Sequence, residues 1–410
     1  MKTKIQINQK EISGSLHLPG SKSISNRLLI IQALSKCNND LFNLSNSKDT
    51  QTLQEALVYT GTQIDIGLAG TAMRFLTAFY AIQDSEIILS GSPRMQKRPI
   101  SDLVDAIRFL GGDITYQNKE GFPPLKIKGK QLEGGSLMIN ASISSQFISA
   151  ILLISPYLKK GIQLGLQGDV LSRPYIEMTL SLMTKYGIES TWLGSVISVS
   201  PGVYKNTQVK VESDWSSISY IFEIVALCSS GEVTLSYVEE NSLQGDQKIM
   251  DFFKSFGVNS TIKNGLLTIS KNPKFILPTK LEFDCKATPD LAQTIAVTAC
   301  GLGIQTKITG LKNLPLKETN RLVALQTELE KCGSQVKIIN NEALNILPSK
   351  GVLNKDLVFE TYDDHRMAMC LAPLALMCNS VIIDDSEVVN KSYKSYWKDL
   401  KIMSFKVHLL

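Results

Sequence analysis

Apolar and polar positions along the chain switch repeatedly between two periods. Helix-like runs, with apolar residues every three or four positions, end in glycine and pass into short alternating, strand-like segments. These are ALVYTGTQI around Gly61, IRFLGGDIT around Gly112, LMTKYGIEST around Gly187, FFKSFGVNST around Gly257 and LEKCGSQVKI around Gly333. Glycine just past the last helical turn takes the left-handed conformation at little cost and stops the helix. The recurrence predicts a repeated α/β unit, although helix-to-strand junctions in any α/β protein share this look. The N-terminal MKTKIQINQKEISGSLHLPG alternates like a strand and lacks the apolar core of a signal peptide. Turn signals at Leu18, Pro19 and Gly20, and in VESDWSS from Val211 to Ser217, mark the boundaries. They predict one domain over 19–212 and a second, discontinuous one formed by 1–18 and 213–410.

Length agrees with two domains, since 410 residues exceed what one hydrophobic core usually supports. A hydrophobic share of 43% and a charged share of 20% fit an ordinary soluble protein, and no stretch reaches a membrane span. Cys37, Cys228, Cys285, Cys300, Cys332, Cys370 and Cys378 are scattered and never form a C-x-x-C pair. That argues for reduced thiols in a cytosol, against a disulfide framework and against a zinc site. With only His17, His365 and His408 as imidazoles, neither a structural nor a catalytic metal is expected. A net charge of +5 with interspersed Lys and Arg makes nucleic acid a poor partner.

The cations stand where helices should not want them. Segments that read as helix starts carry Lys or Arg in or beside the first turn: SKSISNRLL from Ser21, GTAMRFL from Gly70, SRPYI from Ser172, KETNRL from Lys317 and DDHRMA from Asp363. Each opposes the helix dipole by about 0.3 to 1 kcal/mol. Helix N-termini offer free N–H groups to anions, so cations and hydroxyls added there suit a small, multiply anionic ligand. For any single arginine, a salt bridge to a neighbour such as Glu318 or Asp363 explains the placement better than a ligand does, and it is the five together that favour a ligand. Two further starts carry no cation. SSQFI from Ser144 places hydroxyls and an amide before an apolar run, and TPDLA from Thr288 reads as a Thr cap, Pro289 at the first position and Asp290 in the first turn.

On these residues the chain resembles the enolpyruvyl transferase family, and within it the branch whose acceptor is shikimate 3-phosphate. The matching runs are LPGSKSISNR from Leu18, AGTAMR from Ala69, PRM from Pro93 with RPI from Arg98, SSQF from Ser144, SRPYI from Ser172, QGD from Gln244, the pair Pro289 and Asp290, KETNRL from Lys317, DHRMAM from Asp364, and KSY from Lys391. Their order, over nearly the whole chain, makes the set specific. The resemblance implies a two-domain inside-out α/β barrel. Each lobe would hold three βαβαββ repeats, with helices central, sheets outward and the active site in the interdomain cleft. It also implies transfer of the enolpyruvyl group of phosphoenolpyruvate to the 5-hydroxyl of shikimate 3-phosphate, with release of phosphate, on the route to chorismate and the aromatic amino acids. No cofactor is needed, and a cytoplasmic monomer is expected.

The same resemblance assigns residues. Ser23, Arg27, Ser144, Ser145, Ser172, Tyr175 and Lys317 would hold shikimate 3-phosphate, with Asn313 nearby. Gly70, Arg98, Arg321, Arg366 and Lys391 would hold phosphoenolpyruvate, and Lys22 and Gln146 would lie between the ligands. Asp290 would be the base at the attacked hydroxyl, Glu318 the carboxyl handling the proton at the methylene carbon, and Lys22 an aid near the leaving phosphate. Crowded like charges in an empty site would repel, and ligand anions would draw the lobes together. Leu68, Phe75, Arg173 and Asn320 depart from the family's common Asn, Pro, Lys and Asp, and Leu68 and Phe75 flank Gly70. Gly at position 70 with an intact following helix implies inhibition by glyphosate. The competing readings are an enolpyruvyl transferase acting on UDP-N-acetylglucosamine, a catalytically silent phosphometabolite-binding protein and an RNA-binding protein. The first lacks support because no cysteine lies between Pro93 and Pro99. The last lacks support because aromatic residues are not interleaved with the basic ones.

Overall fold

The computed structural model describes residues 1–35, 40–347 and 353–410. Its contacts separate Gly20–Val211 from a unit made of Met1–Pro19 and Glu212–Leu410.

In Gly20–Val211 the described helices are α1 (Lys22–Ser35), α2 (Lys48–Val58), α3 (Gly70–Ala81), α4 (Ser101–Phe109), α5 (Ser145–Ile154) and α6 (Arg173–Lys185). In α3 only Thr71, and in α5 only Gln146, escapes burial. A helix apolar on all sides belongs at the centre of its unit. Helices α2, α4 and α6 bury one stripe and lie outside it. One sheet runs in the order Gln63–Asp65, Glu86–Ser90, Leu125–Lys128, Asp113–Tyr116, and another Ser190–Leu193, Val196–Val199, Ile162–Gln167, Gly135–Asn140. In each, two parallel strands joined through a buried helix are followed by an antiparallel hairpin, giving βαβαββ. The third repeat is abbreviated among the described residues, because Leu41–Phe42 pairs only with Val209–Lys210. Helix α2 runs to Val58, and the next strand, Gln63–Asp65, already belongs to the neighbouring sheet, so no chain remains for a hairpin.

The other unit completes the repeat three times. Its helices are α7 (Trp215–Leu227), α8 (Ile249–Lys254), α9 (Ala292–Leu302), α10 (Arg321–Lys331), α11 (His365–Leu371) and α12 (Tyr396–Ile402). The sheets are Val258–Lys263, Leu266–Lys271, Ser230–Ser236, Glu11–Leu16; then Lys280–Asp284, Gln305–Thr309, Ala343–Leu347, Gln335–Ile339; then Leu353–Phe359, Cys378–Ile383, Thr3–Gln6, Lys406–Leu409. The chain's first strand thus closes the last sheet, with Thr3 opposite both Ile383 and Leu409. Helices α7, α9 and α11 form the middle of a core in which Trp215, Phe222, Ile295 and Met367 are all inaccessible. The strands alternate buried and exposed positions, as in Gln335–Ile339, so each sheet turns one face outward.

Several local expectations need correction. Gly187, Gly257 and Gly333 take positive φ after their helices, but at the second junction Gly111 does so instead of Gly112, and Gly61 does not. Helix α2 leaves directly into extended backbone at Tyr59, with φ −72° and ψ 131°, so no left-handed residue is required there. Thr288 makes no side-chain cap bond, because Pro289–Leu291 is a 3₁₀ turn that leads into α9. Among the described cysteines all are free thiols, and Cys37 lies outside the described residues.

Within α7, Glu223 is fully buried and neither carboxyl oxygen has a hydrogen-bond partner among the described residues. Burial pushes its pKa well above the ordinary value of 4.5, which favours the protonated form in the folded unit. A raised folded-state pKa contributes stability that is present below pH 4.5 and is lost as pH rises toward the folded value. Glu223→Gln is therefore expected to leave stability nearly unchanged at pH 4.5 and to raise it by about 1–3 kcal/mol at pH 7.5. Denaturant unfolding at the two pH values checks this, and an equal effect at both would contradict it.

Candidate active site

Chemistry-bearing side chains gather at helix starts within each unit. In the unit holding 212–410, Arg321 opens α10 and is 2% exposed. Its Nε donates to Asp364 Oδ2 at 2.7 Å and its Nη2 to Asp364 Oδ1 at 3.3 Å. Nη2 also reaches Glu318 Oε2 at 3.0 Å, and Nη1 reaches Asp290 Oδ1 at 3.1 Å. Asp364, the cap of α11, accepts from the Arg366 backbone N–H at 2.9 Å and so orients two arginines. Arg366 Nη2 donates to Asp290 Oδ2 at 2.8 Å and to Ser216 Oγ at 3.3 Å. Lys391 Nζ lies 2.8 Å from Glu318 Oε1, and Lys317 Nζ lies 3.8 Å from Asp290 Oδ1. Asn313 sits buried just ahead of the 3₁₀ turn Leu314–Leu316 that delivers Lys317 and Glu318.

Cations and carboxylates interleave in this cluster, with Asp290 between Arg321, Arg366 and Lys317 and Glu318 between Arg321 and Lys391. Buried charges persist only when paired. Burial alone would raise the Asp290 pKa, but Arg366, Lys317 and Arg321 outweigh it and hold the carboxyl far below the usual range. Burial pulls the Lys317 pKa down against the pull of Asp290. For Arg321, three carboxylates overcome burial and raise it further. Asp246, from the QGD run, accepts from Ser216 Oγ and is pushed up to about 7 by burial and by the nearby Asp290 charge. The motif had drawn attention to Asp246 without giving it a role, and Ser216 was not singled out.

In Gly20–Val211, Lys22 begins α1 and pairs with Asp49 at 3.3 Å. Arg27 spends its donors internally: Nε on Thr179 at 2.7 Å, Nη1 on the Ser23 carbonyl at 2.8 Å, and Nη2 on Ser149 and the Tyr175 carbonyl, both at 3.1 Å. It ties α1 to α5 and α6 without a carboxylate partner among the described residues, and burial lowers its pKa to about 10. Ser144 caps α5, accepting from the Gln146 N–H at 3.3 Å, with Ser145 buried beside it. The Gln146 amide reaches Thr71 Oγ1 at 3.3 Å, which joins the starts of α5 and α3. Ser172 precedes α6 with φ +54° and makes no cap bond to the helix, an uncommon conformation for a residue with a Cβ.

Gly70 and Arg98 meet. A Cβ on Gly70 would lie 2.5 Å from Arg98 Nη1, so the missing side chain admits the guanidinium to the α3 start. Arg98 Nε is buried without a partner, and no carboxylate pairs with Arg98 among the described residues. An unspent buried cation donor beside a helix N-terminus is an anion-binding arrangement.

Other expectations fall away here. Arg74 is an internal brace, donating to the Gly70 and Pro99 carbonyls. Arg173 is exposed, paired with Glu177 at 2.7 Å and stacked over Trp192 at 4.1 Å. Phe75 faces Arg27, 5.5 Å from its Cζ. Asn320 caps α10 by accepting from Val323, a role in which Asn and Asp are equivalent, so that departure is structurally neutral.

Comparison with known proteins gives a consistent answer. The family profile described as EPSP synthase (3-phosphoshikimate 1-carboxyvinyltransferase) matches residues 7–64 and 53–400. A 3-phosphoshikimate 1-carboxyvinyltransferase of Bacteroides fragilis (strain YCH46) is 42% identical over 396 residues, covering 96% of each chain. One of Colwellia psychrerythraea is 34% identical over 422 residues, covering 96% of this chain and 97% of its own. The solved structure of EPSP synthase from Acinetobacter baumannii shares the fold over the full length of both chains, with a TM-score of 0.78 at 19% identity. The chain belongs to the EPSP synthase family, the 3-phosphoshikimate 1-carboxyvinyltransferases.

Proposed function

We propose that this chain transfers the carboxyvinyl group of phosphoenolpyruvate to the 5-hydroxyl of shikimate 3-phosphate, releasing phosphate, as a cytoplasmic monomer on the chorismate route. Family membership supports the reaction. The observation that carries the mechanism is Asp290, gripped by Arg321, Arg366 and Lys317. A carboxylate held so far below its usual range is a weak base. Ligand phosphate and carboxylate groups compete for those same cations, and as they take them the basicity of Asp290 rises toward what deprotonating a hydroxyl requires. Glu318, shared between Arg321 and Lys391, gains proton affinity by the same exchange and serves the methylene carbon. In the proposal the hydroxyls of Ser23, Ser144, Ser145 and Ser172, with Tyr175, Asn313 and Lys317, receive shikimate 3-phosphate. Arg98, Arg321, Arg366 and Lys391 receive phosphoenolpyruvate, and Lys22 and Gln146 serve both. Arg27 acts through the helices it ties together.

Phosphate release with phosphoenolpyruvate plus shikimate 3-phosphate is expected, and none with UDP-N-acetylglucosamine as acceptor. Asp290→Asn is expected to lower kcat by about 10²–10⁴, the range for losing a general base. Release with both acceptors, or an unimpaired variant, would overturn the assignment. A second expectation concerns Gly70. Gly70→Ala must displace Arg98, so KM for phosphoenolpyruvate is expected to rise about tenfold or more, equivalent to about 1.4 kcal/mol, with little change for shikimate 3-phosphate. The parent protein is expected to lose turnover with excess glyphosate, and steady-state kinetics with each ligand varied checks both statements.

A further inference from the structure

The turn Gly245–Lys248, which completes the QGD run, is bound to the start of α7 by Gln244. The Gln244 amide donates to the Ser213 carbonyl at 2.9 Å and accepts from the Trp215 N–H at 3.0 Å. Asp214, between them, caps α7 by accepting from the Ser217 N–H at 2.9 Å. The α7 start is therefore held against a turn that buries Asp246, which is 3% exposed. A buried carboxyl is costly unless its oxygens are bonded. Here Oδ2 accepts from Ser216 Oγ, and Oδ1 has no partner among the described residues. The carboxyl is thus spent on one serine hydroxyl. That hydroxyl in turn faces a guanidinium. Ser216 Oγ lies 3.3 Å from Arg366 Nη2, and because a guanidinium only donates, the hydroxyl accepts from it. Its single proton is then directed at Asp246. A hydroxyl whose proton is committed to a carboxyl is a fixed and stronger acceptor than one free to rotate. The line runs Asp246, Ser216, Arg366, Asp290, since Arg366 Nη2 also donates to Asp290 Oδ2 at 2.8 Å.

We propose that Asp246 is a positioning residue for phosphoenolpyruvate, holding the Arg366 guanidinium through Ser216 while Asp290 exchanges partners. The inference rests on the reaction proposed above, in which a ligand anion takes Arg366 from Asp290. Once that ion pair opens, Arg366 needs a holder that plays no part in proton transfer. Ser216 accepts from the same Nη2 but belongs to α7, so its bond survives when Asp290 lets go. Asp246 keeps that acceptor aimed by occupying its proton. Without the pair, the guanidinium loses the acceptor that fixes Nη2, and a bidentate hold on a carboxylate or phosphate depends on that orientation. Asp246 itself needs no contact with substrate.

Steady-state kinetics separates this role from a general structural one. Ser216→Ala is expected to raise KM for phosphoenolpyruvate by about tenfold, the size of a lost hydrogen bond to a charged group, with KM for shikimate 3-phosphate changed by less than about twofold and kcat lowered by less than about threefold. Asp246→Ala is expected to act likewise, and Asp246→Asn, which keeps an acceptor, to recover most of the loss. The double variant Ser216→Ala, Asp246→Ala is expected to be no worse than Ser216→Ala, because Asp246 acts through the hydroxyl. A readout independent of turnover is the Arg366 Nη–H signal in ¹⁵N-arginine-labelled protein, assigned with Arg366→Lys. Its exchange with solvent is expected to quicken by about tenfold in both single alanine variants. A parent protein that releases no phosphate would defeat the proposed reaction, and the exchange measurement would still judge the hold of Asp246 on Arg366. Equal KM changes for both ligands, a double variant worse than Ser216→Ala, or unaltered Arg366 exchange would overturn the positioning role.

Discussion

One guanidinium organises the unit that carries most of the proposed chemistry. Arg321 is buried at the start of α10, where its charge opposes the helix dipole, and it is surrounded by Asp364, Glu318 and Asp290. None of these four charges could stay buried alone, since removing one partner of a buried pair costs about 3–5 kcal/mol. The cluster therefore fixes the relative positions of α10 and the segment leading into it, of α11, and of the turn before α9. Those are the elements that carry the proposed base, the proposed proton carrier and Arg366.

Such a cluster is stable without ligand and poised to exchange partners. Its carboxylates occupy the donors that a phosphate or carboxylate would use. An anionic ligand, as proposed, would have to compete with Asp290 and Glu318 for those cations, and the competition would change the acidity of both groups. In the proposed reaction, binding and the activation of Asp290 and Glu318 would then be one event. In Gly20–Val211 the logic differs: Arg98 keeps a buried donor unspent beside the start of α3, and Gly70 leaves room for it. One unit stores its cations in ion pairs, whereas the other keeps one in reserve.

Patterns set by neighbours in sequence were readable from the chain alone. Ser144 as a cap, the glycine stops at Gly187, Gly257 and Gly333, and the all-round apolar run that buries α5 depend on local geometry and proved as written. The family and its fold were also legible, because the motifs occur in order. Direction of side chains was not. Arg173 and Arg321 look alike as cations at helix starts, yet one is exposed and stacks on half-buried Trp192 and the other is buried among carboxylates. The difference lies in partners 43 residues away for Asp364, and 27 for the Asp49 that holds Lys22, separations bridged only by the folded topology. The abbreviated third repeat in Gly20–Val211 was hidden for the same reason, since strand pairing depends on which sheet claims Gln63–Asp65.

Asp290 is held ionised by cations that, in the proposed reaction, the ligands take over. Its titration, followed by carboxyl ¹³C resonances in aspartate-labelled protein and assigned with Asp290→Asn, tests that directly. Without ligand the resonance should stay that of a carboxylate down to the lowest pH at which the protein remains folded. With shikimate 3-phosphate and glyphosate bound, its midpoint should move upward. A midpoint near 4 in the free protein, or no movement on binding, would contradict the claim.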